Sequence, residues 1–331
     1  MTLSNPLNPE TLKKGILRGK RRDIARAITL TESQRPEDQK KSRELQQLLT
    51  PHTGRSVKIG ISGIPGVGKS TLIENLGLRL LSDDPARKVG VLAVDPSSPV
   101  RGGSLLGDKT RMEQLSQHPG TFIRPSPGGS GSGGVTRSCR ESMEILDAAG
   151  YGVILVETIG VGQAEHLVAS MVDLFVLLHM PHTGDELQGM KKGTLELAEI
   201  IIINKADGDL SEPARKAREE HRRAMQLLSK KQSWTVPVLL MSSQDNTEKA
   251  LTTLTETIDQ FFRHQHQSGL FLQKRKHQLS DWFSQELLHQ LELVLHQRKG
   301  YEDQLKIQRE RTLQGQSAPG KAAWDLLSSL F

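Results

Sequence analysis

Val57-Lys58-Ile59-Gly60-Ile61-Ser62-Gly63-Ile64-Pro65-Gly66-Val67-Gly68-Lys69-Ser70-Thr71-Leu72-Ile73 is the stretch that decides the fold. Its first seven residues alternate around β-branched side chains and read as a strand, and Ser70-Thr71-Leu72-Ile73 opens a helix. Between them Gly63 to Ser70 matches G-x-x-x-x-G-K-[ST] in full, in the strand–turn–helix setting that the pattern needs. The glycines let the backbone turn its N–H groups toward phosphate oxygens, and the start of the following helix adds a favourable field. Lys69 is placed to reach β- and γ-phosphates, and the Ser70 hydroxyl to coordinate magnesium. The expected phosphate contacts are Gly63, Ile64, Pro65, Gly66, Val67, Gly68, Lys69, Ser70 and Thr71. The plainer reading, a glycine-rich turn matching by chance, is disfavoured by the strand and helix on either side.

Outward from this loop, short apolar runs alternate with helical stretches: Val57–Gly63, Val89–Asp95, Thr121–Arg124, Val153–Thr158, Leu174–Met180, Ile200–Asn204 and Val236–Ser242. Continuous runs such as Ile200-Ile201-Ile202-Ile203 suit strands covered on both faces. The fold class predicted is α/β, a P-loop nucleotide-hydrolase domain with a mainly parallel sheet flanked by helices, plus N-terminal and C-terminal helical extensions. Three parts are expected: an N-terminal helical extension over 1–52, the nucleotide-binding domain over 53–266, and a C-terminal helical segment over 267–331. Leu12 to Leu49 reads as two helices broken near Arg35-Pro36, with Leu12, Ile16, Leu17, Ile24 and Ile28 on one face. After Gly269 the pattern is helical only. Leu279, Trp282, Phe283, Leu287, Leu288, Leu291, Val294 and Leu295 recur at helical spacing, as either an internal core or a partner surface.

Asn204-Lys205-Ala206-Asp207 follows the isoleucine strand and fits an N-K-x-D motif that selects guanine. A carboxylate at Asp207 accepts from guanine N1–H and the exocyclic amine, a pair of donors that adenine lacks. Such polar pairing discriminates strongly, because the wrong base leaves buried groups unpaired. A turn rich in Asn and Asp is the bland alternative. Met241-Ser242-Ser243-Gln244 ends the next strand and completes the expected base pocket. Glu157-Thr158-Ile159-Gly160 closes another strand in the place of a D-x-x-G magnesium and γ-phosphate sensor, with Glu157 one methylene longer than Asp and Gly160 presenting an N–H. Asp95 and Asp108 are further acids within reach of a metal or water. Their structural alternatives are an Asp-Pro turn and a helix cap. The predicted ligands are GTP, GDP after cleavage, and Mg²⁺, with Lys69, Asp95, Asp108 and Glu157 as catalytic candidates and Ser70, Asp95, Asp108 and Glu157 around the metal.

Composition sets the class. In 331 residues, 35% are hydrophobic and 25% charged, and no apolar run nears the roughly 18 residues of a bilayer span. The formal charge is +6, but the cations are scattered and only two tyrosines and three tryptophans are available for stacking, which disfavours nucleic acid. One cysteine, Cys139, excludes an internal disulfide. A cytoplasmic protein with no membrane association is expected.

Val94-Asp95-Pro96-Ser97-Ser98-Pro99, Gly103-Ser104-Leu105-Leu106-Gly107-Asp108-Lys109-Thr110-Arg111-Met112, Glu157-Thr158-Ile159-Gly160-Val161-Gly162-Gln163 and Gly184-Asp185-Glu186-Leu187-Gln188-Gly189-Met190-Lys191-Lys192-Gly193 together resemble the MeaB/ArgK/MMAA family of GTPases, from the first helix to about residue 300. The resemblance implies C-terminal helices that form a homodimer. It also implies a GTP-dependent chaperone of an adenosylcobalamin-dependent mutase, typically methylmalonyl-CoA mutase, that gates cofactor loading and helps to expel inactivated cofactor. By the same resemblance Asp185, Gln188 and Lys191 lie on the segment that moves with the nucleotide and meets the mutase, and Asp95, Asp108 and Glu157 are acids of magnesium handling and hydrolysis. Read from residues alone, Asp185 to Lys192 is an ordinary helix start.

Two other functions compete with this reading. A nickel metallochaperone GTPase would use His264, His266, His277, His289 and His296, but one cysteine and no clear ligand set disfavour it. A phosphotransferase linked to lysine, arginine or ornithine transport would need an acceptor pocket that the sequence does not display. No arginine is placed to supply a finger, with Arg111 the one candidate, so turnover by the chain alone is expected to be slow and partner-activated.

Overall fold

The computed structural model describes residues 8–94, 112–125, 132–158, 164–181, 192–228, 233–242 and 247–329. Among these residues the strands are β1 (Val57–Gly63), β2 (Val89–Val94), β3 (Thr121–Arg124), β4 (Val153–Thr158), β5 (Leu174–His179), β6 (Ile200–Ile203) and β7 (Val238–Leu240). They form one sheet, parallel at every pairing, in the order β3-β2-β4-β1-β5-β6-β7. The last strand is shorter than the expected Val236–Ser242. Pro237 has no N–H to give to a ladder, and it serves only as acceptor, its carbonyl taking the Ile201 N–H at 3.0 Å.

Strand side chains leave opposite faces in alternation, and β6 shows what this does to four consecutive isoleucines. Ile200 and Ile202 enter a core formed with α4 (Lys69–Asp83) and α10 (Thr247–Gln267), and Ile201 and Ile203 enter one formed with α9 (Ser211–Leu228). All four are fully buried, each contributing about 2–3 kcal/mol of transfer free energy. On the α4 side α5 (Glu113–Gln117) adds Leu115. On the α9 side the sheet is also covered by α6 (Ser132–Ala148), α7 (Ala164–Ala169) and α8 (Lys192–Leu197).

The N-terminal segment forms three helices rather than two: α1 (Pro9–Leu17), α2 (Arg21–Glu32) and α3 (Pro36–Leu49). The extra break lies at Gly19, whose φ of 68° is left-handed. Its N–H donates to Ile16 O at 2.8 Å and the Lys20 N–H to Gly15 O at 3.0 Å, closing the carbonyls of the last turn. Leu17, expected on the apolar face, is turned out at this break and is 39% exposed. Leu12, Ile16, Ile24, Ile28, Leu45 and Leu49 share one core with Leu92, Ile154 and Val156 of the sheet. Where the chain passes from these helices into β1, the Asp147 carboxylate accepts the N–H groups of Gly54, Arg55 and Ser56 at 2.7, 3.2 and 3.0 Å.

The chain divides into two compact units, Met1–Phe271 and Leu272–Phe331. The second holds most of α11 (Leu270–His296), with α12 (Tyr301–Leu313) and α13 (Pro319–Ser328), around a small core of Leu295, Tyr301 and Leu326. The helical stripe is mostly outward: Leu279, Phe283, Leu287, Leu288, Leu291 and Val294 are 48% to 70% exposed. An apolar face of this extent is characteristic of interaction surfaces. Among the described residues no helix is long and apolar enough to cross a membrane.

Candidate functional site

At the carboxyl end of β1 the backbone turns through Gly63 (φ 150°), Gly66 (φ 77°) and Gly68 (φ 101°) before α4 begins at Lys69. Gly63 also has no room for a side chain, since a Cβ there would lie 2.5 Å from the Leu178 carbonyl oxygen of β5. The turn keeps its shape through the Val67 N–H, which donates to Ile64 O at 3.3 Å. The buried Lys69 ammonium donates to Gly63 O at 2.7 Å and Ile64 O at 3.1 Å, so it is held across the mouth of the loop. Ile64, Pro65 and Gly66 form the loop's outer rim, Val67 is buried beneath it, and Ser70 and Thr71 stand in the first turn of α4.

Glu157 reaches the same place from the neighbouring strand β4, where it is in register with Ile61 of β1. Its carboxylate is buried and accepts the Ser70 hydroxyl proton at 2.9 Å. One residue on, the Thr158 hydroxyl donates to Ser62 Oγ at 2.9 Å, fixing the two strand ends to each other. Ser70 and Glu157 thus bring two hard oxygen donors together beside the phosphate loop. Magnesium fits such a pair, since it takes one or two protein oxygens and fills its octahedron with water and substrate phosphate.

The third component comes from β6. Asn204 is buried, and its side-chain amide donates to Val67 O at 2.7 Å, tying the loop at residues 204–207 to the loop at residues 63–70. Its backbone N–H donates to His179 O at 2.8 Å, and the next residue, Lys205, has a left-handed φ of 57°, which turns the chain sharply outward. The Ala206 N–H then donates to Met241 O at 3.0 Å. These bonds deliver Asp207 and Ser242 to one cavity of about 440 Å³. Among the described residues the half-buried Asp207 carboxylate has no hydrogen-bond or ion-pair partner, so its lone pairs are available to a ligand.

The structure therefore places Gly63 to Thr71, Glu157, Asn204, Lys205, Asp207 and Ser242 along the carboxyl edge of the sheet, where ligands of open α/β sheets bind. Asp95, Asp108, Gly160, Ser243, Gln244, Asp185, Gln188 and Lys191 lie outside the described residues, as does Arg111. Four of the five histidines that a nickel site would use are engaged locally: His264 packs on Trp234, His266 on Phe271, His277 meets Asp281 at 3.1 Å, and His296 bonds Glu302 and packs on Tyr301.

Sequence reading missed a buried histidine pair beside this site. His179, the last residue of β5, packs edge-on against His221 of α9 with ring centroids 4.6 Å apart, and the Nε2 atoms of both are buried without a hydrogen-bond partner. Burial, aided by the positive character of His221, pushes the His179 imidazole down to about 3. An unfolded histidine titrates near 6.5, so between these values the unfolded chain holds the extra proton. Stability is complete above about pH 6.5 and falls with acidification toward pH 3, by about 1.4 kcal/mol per pH unit for this group. Urea denaturation at pH 7.5 and 5.5 is expected to show a pH-dependent loss in the parent that is smaller in His179→Phe. Equal losses in both would remove His179 as its source.

The family model described as Methylmalonyl Co-A mutase-associated GTPase MeaB matches residues 24–299. A probable GTPase of Mycobacterium tuberculosis is 48% identical over 265 residues, covering 80% of this chain and 78% of its own. GTPase ArgK of Escherichia coli is 41% identical over 280 residues, 83% of each chain. The mitochondrial methylmalonic aciduria type A homolog of Mus musculus is 38% identical over 337 residues, covering 97% of this chain and 79% of its own. Among solved structures, the crystal structure of a LAO/AO transport system kinase superposes with a TM-score of 0.75 at 31% identity and covers 99% of both chains. With a parallel sheet whose loops at residues 63–70 and 204–207 are tied together at its carboxyl edge, the chain belongs to the MeaB family of GTPases.

Proposed function

We propose that this protein is a GTP-hydrolysing chaperone that gates adenosylcobalamin loading and protection of a cobalamin-dependent acyl-CoA mutase of the methylmalonyl-CoA mutase type. The observation that carries the nucleotide part is the bond from Asn204 Nδ2 to Val67 O, which makes the phosphate loop and the base-selecting segment one assembly. The mutase part rests on family membership.

In this reading the N–H groups of 63–71 cradle the phosphates, and Lys69 moves its ammonium from the Gly63 and Ile64 carbonyls to the β- and γ-phosphate oxygens. Asp207 takes the guanine N1–H and amine, with Ser242, Ser243 and Gln244 completing the pocket. Ser70 and Glu157, with Asp95 and Asp108, would hold Mg²⁺, which when bound offsets charge on the phosphates. Gly160 senses the γ-phosphate, and Asp185, Gln188 and Lys191 carry its presence to the mutase. We assign 53–266 to nucleotide chemistry, 1–52 to a supporting extension and 267–331 to homodimerisation, for which the exposed face of α11 supplies apolar surface. The buried single cysteine fits a reducing compartment, taken as the cytoplasm.

Intrinsic turnover is expected to be slow, with the mutase accelerating it by about a thousandfold or more, as partners do for GTPases lacking an arginine finger. Phosphate release from GTP, measured with and without an apo or holo mutase of this class, tests the reading. Equal rates in all mixtures, with no complex on size-exclusion chromatography, would overturn the chaperone assignment.

A further inference from the structure

We propose that Lys249 is a second base-reading residue, its ammonium taking the acceptor edge of guanine while Asp207 takes the donor edge. The inference rests on the guanine reading above and extends it, because a carboxylate reads only one side of the ring.

The cavity of about 440 Å³ that receives Asp207 and Ser242 is bounded on another side by the first turns of α10, including Lys249, Ala250 and Thr253. Its named lining holds two formal charges, the Asp207 carboxylate and the Lys249 ammonium. Among the described residues they do not pair with each other, and neither side chain has another hydrogen-bond or ion-pair partner. Thr253, in contrast, spends its hydroxyl on the helix, donating to Lys249 O at 3.0 Å. The rest of the described lining is uncharged, with Ala206, Gly208, Leu240 and Met241 beside the hydroxyls of Ser211 and Ser242. An opposite pair left apart across a cavity of mixed polar and apolar lining is arranged for a flat ligand with donors on one edge and acceptors on another.

Guanine has that polarity. N1–H and the exocyclic amine are donors, and O6 and N7 are acceptors on the adjoining edge, whereas adenine puts an amine where O6 stands. An ammonium is donor only. Facing guanine it gains an acceptor, and facing adenine it meets another donor, so Lys249 selects and rejects at once. Its exposed position at the start of the helix leaves the four-carbon stem free to swing over the ring.

The test is calorimetric titration of the full chain with GDP, ADP, 6-thio-GDP and 7-deaza-GDP, for the parent, Lys249→Met, Lys249→Arg and Asp207→Asn. Lys249→Met is expected to bind GDP about tenfold more weakly, the size of one charge-assisted hydrogen bond, with ADP unchanged or tighter. At least one analogue with an altered acceptor should be penalised in the parent but not in Lys249→Met, and Lys249→Arg should recover most GDP affinity. Unchanged GDP binding in Lys249→Met, or equal loss for GDP and ADP, would overturn the proposal, the latter marking simple attraction to phosphates. Failure of the underlying reading looks different: the parent would not prefer GDP to ADP and Asp207→Asn would change nothing. A parent that prefers GDP, loses that preference in Asp207→Asn and ignores Lys249→Met sinks the Lys249 role alone.

Discussion

Lys69→Met is expected to lower single-turnover GTP hydrolysis by about 10²–10³-fold, the loss that follows removal of one preorganised group aimed at developing transition-state charge. The reasoning begins with where the ammonium sits. It is buried and bonded to the carbonyl oxygens of Gly63 and Ile64, at the loop mouth where β- and γ-phosphates would lie. A triphosphate offers that cation stronger acceptors than two neutral carbonyls, so the exchange favours binding, and favours the transition state further as charge builds on the transferred group. Methionine keeps most of the stem's packing and deletes the charge. Nucleotide affinity should also fall, and thermal unfolding of the free protein should change much less than the rate. Phosphate release within threefold of the parent, in a folded variant, would show that Lys69 does not act on the reacting phosphate.

Asp207→Asn should lower GDP affinity by about 10²–10³-fold and make xanthosine diphosphate the better ligand. A carboxylate is an acceptor at both oxygens, and each charge-assisted bond to the guanine N1–H or amine is worth about 1.5–3 kcal/mol. Asparagine retains one acceptor and turns an amide N–H₂ toward the guanine amine, donor against donor. Xanthine carries a carbonyl at that position and accepts from the amide instead. The substitution leaves the scaffold intact, because the bonds that set the loop are made by Asn204 to Val67 and by the Ala206 N–H to Met241, not by the Asp207 side chain. Titrations with both diphosphates decide the matter. A variant that still prefers GDP would move base recognition away from Asp207.

The helices and strands that were legible in the sequence are those whose signal is local. Ile200 to Ile203 reads as a strand buried on two faces because four adjacent apolar side chains have no polar face to show, and both faces are indeed packed. Gly19 was not legible as a break, since an isolated glycine is tolerated in many helices. The structure makes it one, with a left-handed φ of 68°, and the turn that follows packs Asp23 of α2 against Gly15, where a Cβ would sit 2.0 Å from a carboxylate oxygen. The stripe on α11 was visible by its period, but a period reports only that one face is apolar and is silent about what covers it. His179 and His221, 42 residues apart in the chain, carried no pattern at all; they meet because β5 and α9 pack together.

What the amino-acid order alone determined is the phosphate loop, because nine consecutive residues hold the glycines, the lysine and the helix start that its conformation needs, and short-range sterics suffice to set them. The assembly of the site was decided by tertiary structure. Ser70 meets Glu157 across 87 residues and Asn204 meets Val67 across 137, contacts that no spacing rule encodes. They form because the sheet places β1 between β4 and β5, with β6 one strand further, so that distant carboxyl ends become neighbours. Lys249 enters the same cavity for that reason too: a helix returning from the edge strand brings its first turn beside Asp207.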